Sequence, residues 1–296
     1  MSSRRSGGPT SRVLGFAGAA AAIAFPAAAL AQPVDLFFER TVMTAADSRC
    51  DLFTPAVSSA LAAGAAQARG AALRAGTDLK SLVAIERNAR GRAAQIDCSS
   101  PLVASQAARI QAAYGSYARI QRMVYPGDLT EWRADRGVGR TARWRLSQSA
   151  DFGSNRMIFG LAGRQDNQSA LVAVAAFSDK ATPYSARLVM RDTGRTMGPY
   201  LLGGRQPLAK KLPPSSATRS YIAEARAGAE AELLPKGYAG GWAFRFPTNA
   251  VQALSELDPR EAVAVEFMLP GGRSRVAYVE VGDFAAGRAF LQIASR

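Results

Sequence analysis

CDLFTPAVSSALAAGAAQARGAALRAGTDLKSLVAIERNARGRAAQIDCSSPL, residues 50–102, contains three helix-start signals in succession. Thr54 and Ser100 are each followed by proline, the pattern of an N-cap and a first helical residue. Thr77 precedes Asp78, whose negative charge suits the N-terminal end of a helix dipole. Apolar residues with a period near 3.6 follow the signals. Because the connections are short, the sequence predicts three helices that run up, down and up.

In this topology the first and third helices begin at the same end of the module. Cys50 lies four residues before Thr54, and Cys98 lies two residues before Ser100. The two cysteines therefore meet, and we predict a disulfide between them. In the chain-entropy model, a closed loop of about 49 residues stabilises a fold by roughly 4 kcal/mol. The alternative is a pair of free, buried thiols.

The helical module is expected to span residues 33–125, with a short preceding helix over Asp35–Ala46. Its many alanines bury little area per helix, so the helices must pack on the rest of the protein or on a partner. Four larger residues near its end are expected to pack against the next domain, and the alternative is that they form an interface patch. They are Tyr114, Tyr117, Met123 and Tyr125.

Residues 126–296 are expected to form a β-rich domain. Short apolar runs separated by turn residues recur through 141–191, which is typical of an antiparallel sandwich or barrel. Two strand–turn–strand–helix units follow, over 229–254 and 262–291, and whether they are a true repeat stays open. The predicted fold class is therefore α+β: a disulfide-pinned three-helix module followed by an antiparallel β-sandwich-like domain.

The first 31 residues have the three parts of a secretory signal. Arg4, Arg5 and Arg12 precede an apolar run that ends in Ala29-Leu30-Ala31. We expect cleavage before Gln32 and a periplasmic or secreted mature chain, a compartment in which disulfides persist. No transmembrane anchor is expected after cleavage, and a retained anchor is the alternative. The choice between general secretory and twin-arginine export stays open.

Histidine is absent from the sequence. Its absence excludes Ser-His-Asp and Cys-His catalysis and histidine-based metal sites. Bridged cysteines cannot act as nucleophiles or ligands, and the sequence contains neither Ser-x-x-Lys nor Gly-x-Ser-x-Gly. We therefore predict a non-enzymatic protein without a cofactor or a bound metal. The alternative is a carboxylate-dependent hydrolase that acts on envelope glycans.

Two further sets of residues are candidates for a sugar-binding site and a catalytic site. Aromatic and charged neighbours suit a sugar clamp, although edge or core tryptophans are commoner; these are Glu131, Trp132, Arg133 and Trp144. Carboxylates near turns are expected to cap backbone amides rather than to form a catalytic pair. These are Asp151, Asp166, Asp179 and Asp192.

The chain is strongly basic, with 37 Lys and Arg against 23 Asp and Glu and a formal charge of +14. Loss of the three leader arginines lowers this charge to +11. Such a charge attracts anionic surfaces, so the expected partners are an anionic envelope lipid or glycolipid, or a protein, and no nucleic acid. The expected contacts are Lys210, Lys211 and Arg219, on and beside an exposed Pro-rich loop. The alternative is that the arginines reflect the base composition of the genome.

Two segments carry a family resemblance. They are Phe244-Arg245-Phe246-Pro247 through Ala250 and Leu254, and Val265-Glu266-Phe267 through residues 279–286. Both resemble the ending of invasion-associated locus B proteins, small exported proteins of alphaproteobacteria, in which a strand runs into a Gly-Phe pair and a short Ala-rich helix. Asp283 interrupts that pair here, and the cysteines typical of the family's β domain are absent. The resemblance implies a non-enzymatic envelope protein and supplies no catalytic residues.

Overall fold

A computed structural model describes residues 32–164, 169–201 and 206–292. The expected signal sequence over residues 1–31 lies outside these ranges, as do Asp166 and part of the Pro-rich loop. Residues from Gln32 onward belong to one unit by their mutual contacts. Helices come first and two antiparallel sheets follow, which confirms the predicted α+β class.

The helical part begins with four helices: α1 (Pro33–Cys50), α2 (Pro55–Arg74), α3 (Leu79–Ala94) and α4 (Pro101–Tyr117). α1 packs against both α2 and α3, and α4 contacts α2. The predicted short helix over Asp35–Ala46 is therefore wrong in extent, because α1 has 18 residues and lies between its neighbours. Thr41 does not interrupt the buried face of α1, since its hydroxyl donates to the carbonyl of Phe37 at 2.7 Å.

The proline signals mark the helix starts as predicted. Pro55 and Pro101 are the first residues of α2 and α4. The cap of α3 is Asp78 instead of Thr77. Its carboxylate accepts hydrogen bonds from the backbone N–H of Ser81 at 2.9 Å and from the hydroxyl of that serine at 2.5 Å. A carboxylate satisfies a free amide at a helix start, and its charge suits the helix dipole.

Cys50 and Cys98 form the predicted disulfide, with their Cα atoms 5.5 Å apart. Cys50 is the last residue of α1, and Cys98 lies in the connection between α3 and α4. Asp47 ties α2 to the same corner, because it accepts from the Phe53 N–H at 2.9 Å and the Ser58 hydroxyl at 2.6 Å. The bridge therefore joins the end of α1 to the start of α4.

The β part contains a seven-stranded and a four-stranded antiparallel sheet, flanked by two short helices. In chain order the strands are β1 (Arg122–Pro126), β2 (Glu131–Asp135), β3 (Arg143–Phe152), β4 (Asn155–Gly163), β5 (Ala170–Ala176), β6 (Ser185–Arg191), β7 (Thr218–Ile222), β8 (Ala225–Gly228), β9 (Trp242–Arg245), β10 (Ala262–Leu269) and β11 (Arg273–Glu280). The helices are α5 (Thr248–Ser255) and α6 (Phe284–Gln292). The sheet orders are β1-β2-β3-β4-β5-β9-β8 and β11-β10-β6-β7.

Aromatic rings join the two sheets. Phe152 of β3 stacks on Phe267 of β10 with ring centroids 5.5 Å apart, and Phe177 and Phe244 contact the same ring. Aromatic pairs at these separations add stabilisation beyond the area they bury. None of the helices in the described ranges is long and apolar enough to cross a membrane.

The second predicted hairpin is confirmed, and the first is only partly so. β10 and β11 pair from Ala262 opposite Glu280 to Leu269 opposite Arg273. Gly271 and Gly272 make the turn with φ values of 74° and 70°, which favour glycine. The predicted strand over residues 229–234 is wrong, because that segment lies in the connection from β8 to β9 and is not paired in a sheet. The two hairpins belong to different sheets.

One buried ion pair joins the helical part to the sandwich. Arg74 at the end of α2 donates to both carboxylate oxygens of Asp283, before α6, at 2.6 and 2.9 Å. A Cβ on Gly70 would lie 2.2 Å from that carboxylate, so only glycine permits this approach. Burial raises the pKa of Asp283, and Arg74 opposes the rise. The ion pair and the small residue together place α2 on α6.

Arg136 forms a second joint, where the described part of α6 ends. Its Nε donates to the Phe290 carbonyl at 3.0 Å, and its guanidinium lies 3.6 Å from the centre of the Phe290 ring. Nη1 donates to carbonyls after α4, including that of Ile120 at 3.2 Å. A cation suits the carbonyl end of a helix. Arg136 therefore holds the end of α4 against α6.

Replacing Arg74 tests the first joint. R74M leaves Asp283 buried without its cation, so we expect the free energy of unfolding in urea to fall by about 3 kcal/mol at neutral pH. The loss should shrink as the pH falls, because the pKa of Asp283 is already raised and rises further without Arg74. R90M removes an exposed pair with Glu86 and should change stability by less than about 0.5 kcal/mol. Equal losses of unfolding free energy in R74M and R90M would contradict the role of Arg74 in joining α2 to α6.

The disulfide is tested by the double variant C50A/C98A. We expect its free energy of unfolding to be lower by roughly 4 kcal/mol, because the unfolded chain regains the entropy of the open loop. A reductant should destabilise the natural chain and leave the double variant unchanged. Destabilisation of both proteins by the reductant would show that the effect does not come from the bridge.

Candidate functional site

A groove of about 860 Å³ lies between α1, α2 and α4, with contributions from α3 and β1. We call it the helix groove. Its apolar walls include Val42, Met43, Val57, Leu61, Ile110 and Met123. This volume is within the range of small-molecule sites, about 300–1,000 Å³.

Small residues on the facing helices create the helix groove. Ala60 and Gly64 of α2 and Ala113 of α4 line it. They leave a space that larger side chains would fill. α4 adds two tyrosines to the wall, Tyr114 and Tyr117. The alanine-rich composition of the helices therefore produces a groove in place of a tightly packed bundle.

Arg40 of α1 is a half-buried cation in the helix groove. Its Nη1 donates to the carbonyl of Gly64 at 2.6 Å. Within residues 32–164, 169–201 and 206–292, no carboxylate lies within ion-pair distance of Arg40, and Gly64 is its only hydrogen-bond acceptor. Burial lowers the pKa of Arg40, while Tyr117 and Glu39 oppose the shift. Buried charges are normally paired, so this guanidinium is an unusual feature of the site.

Tyr114 brings a second unsatisfied group to the helix groove. Its hydroxyl oxygen is buried and has no hydrogen-bond partner in the described part of the chain. Buried polar groups without partners are rare in folded proteins. By contrast, the phenols of Tyr117 and Tyr125 interact with each other, and burial raises the pKa of both. Tyr114 therefore carries a hydroxyl that is shielded from solvent and has no partner among the described residues.

The remaining charges of the helix groove are mostly basic. Arg92 from α3 and Arg109 from α4 are exposed and line it, together with Gln67 and Gln106. Glu39 is the single carboxylate in its described lining. The groove thus combines apolar walls, three arginines and one acid.

The contacts predicted on and beside the Pro-rich loop lie apart from the helix groove. Lys210 is exposed. Lys211 is only 8% exposed, and its ammonium group lies 3.3 Å from Asp128, so the expectation that it lies on an exposed loop is wrong. Asp128 comes from the turn before β2, a neighbour that local sequence does not indicate. Arg219 is exposed at 55% of its side chain, with Asp192 at 3.6 Å.

The two tryptophans considered for sugar binding instead hold the backbone, because each donates a hydrogen bond to a carbonyl. Trp132 is fully buried, and its indole N–H donates to the carbonyl of Val281 at 2.9 Å. The indole of Trp144 donates to the carbonyl of Leu233 at 3.1 Å. Of the four large residues near the end of the helical part, Tyr125 is buried in the core of the β domain, and Tyr117 and Met123 pack against that core, as expected. Tyr117 and Met123 also line the helix groove, as Tyr114 does.

The turn carboxylates weighed as catalytic groups have structural partners. Asp151 pairs with Arg156, and Asp179 pairs with Arg275. Asp192 accepts from the Gly194 N–H at 3.1 Å, as a turn cap does. In the described ranges, no three Asp, Glu, Cys or His side chains are grouped so as to hold a metal.

The most deeply buried carboxylates are also engaged. Glu261 forms a two-pronged pair with Arg191, at 2.6 and 3.0 Å, and burial raises its pKa. Glu280 accepts from the backbone N–H groups of residues 128–130 at 2.7 to 2.9 Å. These carboxylates hold loops in place.

No family model matches this chain, and comparison with curated proteins and with solved structures finds no match either. The site must therefore be interpreted from its own chemistry. An apolar groove that contains a cation without a carboxylate partner among the described residues is equipped to bind an anionic molecule that has an apolar part. Sequence reasoning missed Arg40, Arg92 and Arg109. The available signal was the run of small residues on α2, at helical spacing, beside larger apolar positions.

The two groove tyrosines give a matched test of the site's hydrogen bonding. Y114F removes a hydroxyl without a partner, so we expect stability to stay constant or to rise by about 1 kcal/mol. Y117F removes the hydroxyl that interacts with Tyr125 and should lower stability by about 1 kcal/mol. Urea unfolding of both variants measures the difference. A destabilised Y114F would mean that its hydroxyl has a partner in the free protein.

Proposed function

We propose that this chain is a non-enzymatic binding protein of the cell envelope, and that it holds an anionic component with an apolar part in the helix groove. The observation that carries the proposal is Arg40, a half-buried cation on an apolar groove that has no carboxylate partner in the described part of the chain. An anionic ligand would supply the missing charge.

The energetics favour an anion at this position. Arg40 has already lost part of its hydration, as the lowered pKa indicates. Its guanidinium fork matches carboxylate and phosphate oxygens, and hydrogen bonds to charged groups contribute about 1.5–3 kcal/mol each. Arg92 and Arg109 add a positive potential along the groove, which attracts anions from solution.

Placement in the envelope rests on the sequence. The apolar leader, the mature charge of +11 and the resemblance to invasion-associated locus B proteins all support an exported, anion-binding protein. The disulfide between Cys50 and Cys98 is consistent with an oxidising compartment. The alternative within this proposal is that the ligand is a protein partner instead of a small anionic component of the envelope.

Binding is favoured over glycan hydrolysis by the distribution of carboxylates. A hydrolase needs two carboxyl groups that converge on one cleft. The described lining of the helix groove contains Glu39 alone. The buried acids described above are held by arginines or by backbone amides, which leaves them poorly suited to proton transfer.

Two fluorescent probes with a similar apolar body test the proposal. Anilinonaphthalene sulfonate is anionic, whereas N-phenylnaphthylamine is neutral. We expect the anionic probe to bind more tightly, and R40M to weaken its binding by roughly tenfold or more. R87M removes an exposed arginine of α3 outside the groove lining and should have little effect.

The same titrations decide the outcome. Circular dichroism should first establish that R40M is folded. Equal affinity for the two probes, or equal loss in R40M and R87M, would refute an anion site at Arg40. It would favour the alternative that the positive charge reflects genome composition.

A further inference from the structure

We infer that the helix groove receives an amphipathic helix of a partner protein, whose apolar face lies on the groove walls and whose flanks carry aspartate or glutamate. This inference rests on the proposed function, because it names the anionic ligand as an acidic segment of a protein. It is supported by the helix faces that line the groove, by their exposure and by the charges around them.

α2 presents one complete face to the groove. Its lining residues recur at intervals of three and four positions along about three turns, which places them on a single stripe. They are Val57, Ala60, Leu61, Gly64 and Gln67. The stripe is about 15 Å long, at 1.5 Å per residue. Stripes with this spacing normally pack against another element, and the small residues within this one would let a helix approach closely.

α4 presents a second stripe with the same intervals. Its lining residues are Gln106, Arg109, Ile110, Ala113, Tyr114 and Tyr117. The structure describes all 17 residues of α4, and only Val103 and Ala107 among them are buried. Neither of these two lines the groove. The face of α4 that lines the groove is therefore open to a further helix.

The apolar walls are accessible rather than enclosed. Met43, Leu61, Ile110 and Met123 are half-buried, and Val57 is the single buried residue in the described lining. Small-molecule sites enclose about 70–90% of a ligand's surface. A small ligand on these walls would remain partly in water, whereas a helix would cover both stripes at once. The two methionines suit such a partner, because their flexible side chains adapt to the surface they meet.

The charges around the groove select an acidic partner. Arg92 and Arg109 are exposed in the lining, and among the described residues neither they nor Arg40 form an ion pair. Glu39 is the single carboxylate of the described lining. Acidic residues on the flanks of a docked helix would meet these arginines, and such complementarity selects partners. A second copy of this chain fits poorly, since its charge without the leader is +11.

Three synthetic peptides of about 14 residues test this inference by fluorescence anisotropy. The first has leucine at the helical spacing of the stripes and glutamate on both flanks. The second has lysine in place of each glutamate, and the third has the composition of the first in scrambled order. The first should bind one per chain, and the other two at least about tenfold more weakly. Its helical circular dichroism signal should rise on binding, because so short a helix is marginal in water.

One pair of matched variants tests the charge contact. R92M/R109M removes two arginines of the groove and should weaken the acidic amphipathic peptide by roughly threefold to tenfold. R87M/R140M removes two exposed arginines outside the groove lining and should change its affinity little. Equal weakening by the two double variants would show that only the overall charge of the chain attracts the peptide.

A second pair tests the apolar contact. M43Q introduces a polar group on the groove wall at nearly constant size and should weaken the peptide by about tenfold. M197Q makes the same change at a fully exposed methionine and should leave the affinity as it is. Circular dichroism and urea unfolding should first establish that M43Q is folded. Unchanged affinity in M43Q would overturn the placement of the helix in the groove.

The outcomes distinguish this inference from the proposed function. If anilinonaphthalene sulfonate binds with dependence on Arg40 but the acidic amphipathic peptide does not displace it, the helical partner is wrong and the proposed function stands with a small ligand. If the probe does not bind with dependence on Arg40, the proposed function fails and this inference fails with it. Equal affinity for the first and third peptides, or binding without a gain in helicity, would also overturn the helical partner.

Discussion

The bidentate ion pair between Arg74 and Asp283 is the contact on which the arrangement of the two parts depends. It is buried, it lies where α2 approaches α6, and Gly70 leaves room for the carboxylate. Asp283 is also the residue that interrupts the Gly-Phe pair of the family resemblance. The departure from that pattern thus coincides with the point at which the helices attach. A buried ion pair of this kind adds little to total stability, because desolvation offsets much of its attraction. Its main effect is to determine which surfaces meet.

The helix groove is open because contacts outside it hold its walls in place. α2 is attached to the sandwich through Arg74, and the end of α4 is attached through Arg136. The disulfide joins the end of α1 to the start of α4. Each wall is therefore fixed by a contact outside the groove, so the walls need not close on one another. Small residues along α2 complete the space, and Arg40 lies in it without an ion-pair partner among the described residues.

The sequence predicted what depends on local chemistry. The Thr54-Pro55 and Ser100-Pro101 signals located two helix starts, and the shared end of these helices predicted the disulfide. The Pro270-Gly271-Gly272 turn located a hairpin, because a turn that needs positive φ selects glycine. What the sequence did not predict depends on distant partners. Lys211 appeared exposed because its partner Asp128 is 83 residues away. Arg40 resembled any solvated helix charge, since only the folded arrangement shows that no carboxylate of the described residues forms an ion pair with it.

The central claim, that Arg40 receives the anionic end of a ligand, is tested most directly by nuclear magnetic resonance of the arginine side chains during a titration with anilinonaphthalene sulfonate. The account predicts that the Nε–H signal of Arg40, identified by its loss in R40M, shifts and saturates with the ligand, while that of Arg87 stays in place. Saturable binding of this anionic probe without a change at Arg40 would contradict it.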